Sequence, residues 1–113
     1  MIKIAVQLDT AGLLSSIQAT GHSEAAAKGR DIVCASVSVL LRTLARTLES
    51  KDGVLVKGSA DMRGEFTLDI KVNRNTLSDW LRGVTSYSLT GLKDLEAEYP
   101  QNCSVSIYKE MKE

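Results

Sequence analysis

The sequence predicts an α+β fold, a two-layer sandwich whose largely antiparallel sheet follows a ββαββαβ element order, with two helices on one face. Three observations predict it. Residues 2–8, 13–20, 65–72 and 103–108 alternate apolar and polar side chains, the period of half-buried strands. Two longer segments, 32–49 and 77–99, instead repeat apolar residues at helical spacing. Each helical segment follows a pair of strand-like runs joined by turn residues. At 113 residues the chain forms one domain, 1–113, large enough for a single core.

In the first run Ile2, Ile4, Val6 and Leu8 share one face. Asp9-Thr10-Ala11-Gly12 supplies turn residues, and Leu13–Thr20 returns as the second strand of a hairpin. Gly21–Arg30 reads as a loop: Glu24–Lys28 favours helix but is too short to hold one alone, and Gly21 and Gly29 bound it. The first helix is expected over Ile32–Glu49, burying Val33, Val37, Leu40, Leu41, Leu44 and Leu48 and exposing Arg42, Thr43, Arg46 and Glu49. Ser50-Lys51-Asp52-Gly53 ends it.

A second hairpin follows: Val54–Gly58, a connection over 59–64, and Glu65–Val72 with Phe66, Leu68, Ile70 and Val72 on one face. Thr76 and Asp79 fit a capping box for the second helix. That helix tracks Leu77, Leu81, Val84, Ser88, Leu92, Leu95 and Tyr99, and Pro100 stops it. Gly83 and Gly91 inside it each cost about 1 kcal/mol against Ala. Cys103–Tyr108 is the last strand, with Cys103, Val105 and Ile107 on one face, and 109–113 is a charged tail.

Composition excludes several functions. Hydrophobic content of 43% and charged content of 25% are those of an ordinary soluble globule. The 14 basic and 14 acidic residues cancel and form no basic run, which argues against direct nucleic-acid binding. No apolar stretch approaches the ~18 residues of a membrane helix, and no export signal opens the chain, so the expected address is the cytoplasm. Two cysteines in such a chain read as free thiols. One histidine and two cysteines without Cys-x-x-Cys spacing make a poor zinc site, so no metal or other cofactor is expected. Phosphate-loop and nucleophile-elbow motifs are absent, and Ser23, Ser36 and Ser38 lack an elbow context.

The chemistry concentrates in residues 20–38, which hold the sole histidine, His22, and Cys34. His22 is expected just past a strand end, and Cys34 in the first turn of a helix. Unpaired N–H groups and partial positive charge at a helix start favour a thiolate, and the N–H groups around Cys34 and Ala35 are expected to be placed to stabilise an oxyanion. Asp31 is a good N-cap for that helix, yet its free carboxylate beside Cys34 would oppose a thiolate. Capping the backbone is the favoured role, with orienting His22 the second. On periodicity alone Cys34 reads equally as a small core residue, and His22 as a surface or capping histidine. Cys103, on the apolar phase of a strand, reads as an inert buried thiol.

Gly21-His22, with Asp31-Ile32-Val33-Cys34-Ala35-Ser36-Val37-Ser38 bringing a cysteine twelve positions after the histidine, resembles the ribosomal-processing cysteine proteases called the Prp family. Length and element order extend the resemblance over nearly the whole chain. It implies that His22 is the general base and Cys34 the nucleophile. It also implies supporting roles, in substrate binding or orientation, for Gly21, Asp31, Ala35 and Ser38. The family usually reads Gly-His-Ala where this chain has Ser23. The implied activity is a cysteine endopeptidase that removes the N-terminal extension of a large-subunit ribosomal protein of the L27 family during ribosome assembly. The implied partners are that N-terminal peptide and a second copy, as a homodimer. Two alternatives use the same residues: a non-catalytic ribosome-assembly binding module, and a thiol redox sensor at Cys34.

Overall fold

The computed structural model describes residues 1–21, 28–61, 65–73 and 75–111. Strand β1 (Ile2–Leu8) turns into β2 (Leu14–Thr20), which leads toward helix α1 (Lys28–Glu49). Then come β3 (Val54–Asp61), β4 (Glu65–Val72), a 3₁₀ turn (Asn75–Leu77), α2 (Ser78–Glu98) and β5 (Cys103–Lys109). The expected α+β architecture holds. The sheet order is β3-β4-β2-β1-β5, antiparallel throughout except that β5 runs parallel to β1.

The alternating residues build the core as their period requires. Ile2, Ile4, Val6, Ile17, Ala19, Leu68, Ile70, Cys103 and Val105 are buried, while Lys3, Gln18, Asp69 and Lys71 face water on the other side of the sheet. Helix α1 contributes Val33, Val37, Leu41, Leu44 and Leu48, and α2 contributes Leu81, Leu92 and Leu95, to the same cluster. The helices approach closely at Gly91, where a Cβ would lie 3.3 Å from Leu40 Cδ2. Nothing in the structure explains Gly83, which has open space around it. Among the described residues no helix is long and apolar enough to cross a membrane.

The β1–β2 hairpin is fixed by its turn. Asp9 Oδ1 accepts the N–H groups of Ala11 and Leu13, both at 2.9 Å, and Gly12 takes φ +82°. A bulge follows: Gln7 faces Ser16 but Leu8 faces Leu14, leaving Ser15 unmatched. The Leu14 N–H is met by Thr85 Oγ1 of α2 at 3.1 Å. Thr85 is the buried polar residue of α2, and its bond ties that helix to the sheet. Thr85→Val keeps the shape but strands the Leu14 N–H, so a loss of about 1–3 kcal/mol is expected. Urea denaturation checks it, and wild-type stability in the variant would deny the bond any weight.

Three boundaries differ from expectation. α1 begins at Lys28 rather than Ile32. Gly29 costs the helix only about 1 kcal/mol, too little to stop a segment whose later turns bury five large aliphatic side chains. β3 runs on to Asp61 because Ser59, Ala60 and Asp61 pair with Thr67, Phe66 and Glu65. Ser59 and Thr67 join their hydroxyls at 2.9 Å. The capping box at Thr76 does not form: α2 follows Leu77 with no side-chain cap, and Thr76 sits inside the 3₁₀ turn.

β5 is anchored from α2. The Tyr99 carbonyl accepts the N–H groups of Asn102 at 2.9 Å and Cys103 at 3.0 Å. The Val105 N–H donates to Glu96 Oε2 at 2.8 Å, and Lys93 Nζ bonds Glu96 Oε1 at 3.0 Å. The backbone N–H first, and the ammonium after it, hold the Glu96 carboxyl below its ordinary value. A folded-state value below the unfolded one means stabilisation present above about pH 4.3 and lost as pH falls through the folded value. Between about pH 6 and about pH 3 the wild type is therefore expected to lose more stability than Glu96→Gln. Chemical denaturation across that range checks it, and parallel curves would contradict it.

Candidate active site

The end of β2 positions the first of the expected site residues. Lys3 pairs with Thr20, so the ladder carries the chain to Gly21 beside the start of β1. Gly21 adopts φ +96°, and a Cβ there would collide with the carbonyl oxygen of Met1. A side chain is excluded twice, by backbone conformation and by space. Nothing in the residue pattern marks Met1 as a neighbour of this site; the β1–β2 register alone places it there. The next residue, His22, lies outside the described residues, as does the loop through Ala27.

Cys34 lies in the second turn of α1, between the core anchors Val33 and Val37. Its thiol is free and half-buried, packed against the edge of the core. Ser38, one turn on, shares that side of the helix and is exposed; Ala35 is exposed as well. The Ser36 hydroxyl donates back to the Ile32 carbonyl at 2.7 Å and is used within the helix.

The earlier start of α1 corrects two expectations. Asp31 lies inside the first turn and is not the residue that starts the helix, so its N-cap role falls; its side chain lies outside the described atoms. The unpaired N–H groups belong to the residues around Lys28. The N–H groups of Cys34 and Ala35 point back to the carbonyls of Arg30 and Asp31, as the helical ladder dictates. They are not spare oxyanion donors. The field of the helix start also fades beyond the first turn, so the helix start does little to activate Cys34.

The second thiol is different in kind. Cys103 is 0% exposed, and burial first, with the Glu96 charge adding to it, pushes its pKa up. Both effects keep it protonated and out of reach, as expected from its strand phase. Native alkylation is therefore expected to modify Cys34 at least ~100-fold faster than Cys103, which reacts only through opening of the β1–β5 pair. Mass spectrometry of timed iodoacetamide reactions checks this; comparable rates would place Cys103 at an accessible surface. Among the described residues no three His, Cys, Asp or Glu side chains gather to hold a metal. An apolar groove lined by Val39, Leu40, Val84, Tyr87 and Gly91 runs between the helices, and Cys34 is not among its lining residues.

Residues 1–104 match the model of the family described as cysteine protease Prp. The chain belongs to that family. As a Prp-family member it is a cysteine protease. A search of curated protein sequences finds no match. Among solved structures, the fold is similar to SMU.848 from Streptococcus mutans, at 26% identity and a TM-score of 0.79 over 97% of this chain and 96% of that one. It is also similar to the essential ribosomal processing protease Prp of Staphylococcus aureus in complex with a covalently linked product peptide. There the identity is 22% and the TM-score 0.78, over 95% of this chain and 99% of that one. The same enzyme with a substrate peptide matches at 21% identity and a TM-score of 0.77, over 95% and 99% of the two chains.

Proposed function

We propose that this Prp-family protein is a ribosomal-protein processing endopeptidase, acting in the cytoplasm as a homodimer. Its substrate would be the N-terminal extension of a large-subunit ribosomal protein of the L27 family. The observation that carries the reading is the free, half-buried thiol of Cys34 on helix α1, with Gly21 turning the chain beside Met1 immediately before His22. Two structures of a similar fold support it, since both belong to a ribosomal processing protease and hold peptides, one of them covalently linked.

The reaction follows from the two side chains. His22 takes the proton of Cys34, and the sulfur attacks the scissile carbonyl. The tetrahedral oxyanion collapses, the C–N bond breaks, and His22⁺ protonates the departing amine. Water, deprotonated by the same imidazole, then hydrolyses the thioester and restores the thiol. Asp31 orients the imidazole, Gly21 sets where it leaves the sheet, and Ala35 and Ser38 line the approach to the sulfur.

The test is incubation of the full chain with a peptide spanning the junction between the ribosomal protein's extension and its mature start. Mass spectrometry is expected to find one cut, at that junction. An intact peptide after many hours, with Cys34 verified as a free thiol, would sink the proposed substrate.

A further inference from the structure

β5 is an edge strand, and edge strands present unpaired backbone groups that invite pairing with another chain. Its two sides are distinguished by the register. The Glu110 N–H reaches the Leu8 carbonyl at 2.8 Å, so even-numbered residues of β5 turn their N–H groups toward β1. The odd-numbered ones, Cys103, Val105, Ile107 and Lys109, face outward. The first two outward donors are taken by the end of α2: Cys103 N–H by the Tyr99 carbonyl at 3.0 Å, Val105 N–H by the Glu96 carboxylate at 2.8 Å. The second is unusual, because a side chain takes the place a neighbouring strand would occupy. Lys93 holds the other carboxylate oxygen at 3.0 Å and so fixes the group that does it.

We infer that Glu96 is an edge guard: its carboxylate occupies the outward face of β5 at Val105 and denies that edge to a strand from a second copy of this chain. The rest of the edge needs such a guard. Ile107 is 41% and Tyr108 56% exposed, a β-branched and an aromatic residue suited to pairing. Among the described residues, the charges of Lys109 and Glu110 protect the far end. With Glu96 in place, an incoming strand meets a negative charge already bonded to the donor it needs. Without it, the outward donors from Val105 onward form a continuous row beside exposed apolar side chains.

Size-exclusion chromatography with light scattering, run on the full chain over a concentration series, tests this against whatever assembly the wild type shows. Glu96→Ala is expected to lower the concentration at which larger species form by roughly tenfold or more. Glu96→Ala combined with Ile107→Lys is expected to return to the wild-type profile. Lys93→Ala, which leaves the carboxylate, is expected to stay close to it. Thr85→Val serves as the control for general destabilisation, because it loosens α2 far from this edge. Assembly by Thr85→Val equal to that by Glu96→Ala would overturn the inference, since simple loss of stability would then explain both. So would a Glu96→Ala protein that keeps the wild-type profile. Hydrogen exchange adds a local readout: the Val105 amide is expected to lose protection in dilute Glu96→Ala and regain it in the larger species. Failure to regain it would also overturn the inference.

Discussion

Cys34→Ala is expected to abolish peptide cleavage while leaving the fold intact. A protease that works through a covalent thioester has no substitute for its sulfur. Loss of a covalent nucleophile typically costs about 10⁴-fold or more in turnover. The structural cost is small by comparison. Cys34 is half-buried at the edge of the core, while Val33 and Val37 on either side carry the packing of that turn. Trimming one sulfur there is expected to cost about 1 kcal/mol or less. The measurement is cleavage rate together with thermal denaturation of the same sample. A folded Cys34→Ala protein with undiminished cleavage would remove Cys34 from the mechanism. An unfolded one would be uninformative about catalysis, so Cys34→Ser, closer in volume, is the companion variant with the same expected loss.

Gly21→Val is expected to damage both stability and activity. At φ +96° a β-branched residue is strained by an amount of order 1–3 kcal/mol, and its Cβ would also have to displace the Met1 carbonyl. A total loss of about 2–4 kcal/mol is expected, lowering Tm by roughly 10 °C or more in a domain this size. A matched pair separates the two causes. Gly12 has a similar φ, +82°, but open space around it. Gly12→Ala therefore reports the conformational strain alone, and Gly21→Ala reports strain plus the collision. Gly21→Ala is expected to be the more damaging of the two by about 1 kcal/mol or more, and the one that lowers cleavage. Equal losses in Tm and no change in cleavage would remove Met1 from any part in shaping the site.

Much of this architecture is legible in the chain because its strands are strictly amphipathic. Ile2, Ile4 and Val6 announce a strand with one wet face, and the spacing of Val33, Val37, Leu41, Leu44 and Leu48 announces a helix over a core. What escapes is decided by tertiary contact. Thr85 is not on the expected face of α2, which runs through Val84 and Ser88, yet it is buried and its hydroxyl meets the Leu14 N–H beside the bulge of a distant hairpin. Ser59–Asp61 read as a connection, yet they are strand because β4 supplies partners for their backbone. Gly29 looks like a boundary, but the packing of the following turns outweighs its propensity. Among the candidate site residues Cys34 and Gly21 stand out by residue type, whereas Met1 meets Gly21 through its backbone carbonyl, which any residue would supply.

The parallel pairing of β5 with β1 joins the last strand of the domain to one of its first. During synthesis, Ile2, Ile4 and Val6 emerge from the ribosome long before Cys103 and Val105 exist to flank them. The nascent sheet must therefore wait with β1 as its border, and only the emergence of β5 closes the domain. Such distant closure delays folding and lengthens the interval in which an apolar border is open to mispairing. A chain cut short after α2 would remain in that unfinished condition, a substrate for chaperones and quality-control proteases rather than a protease itself.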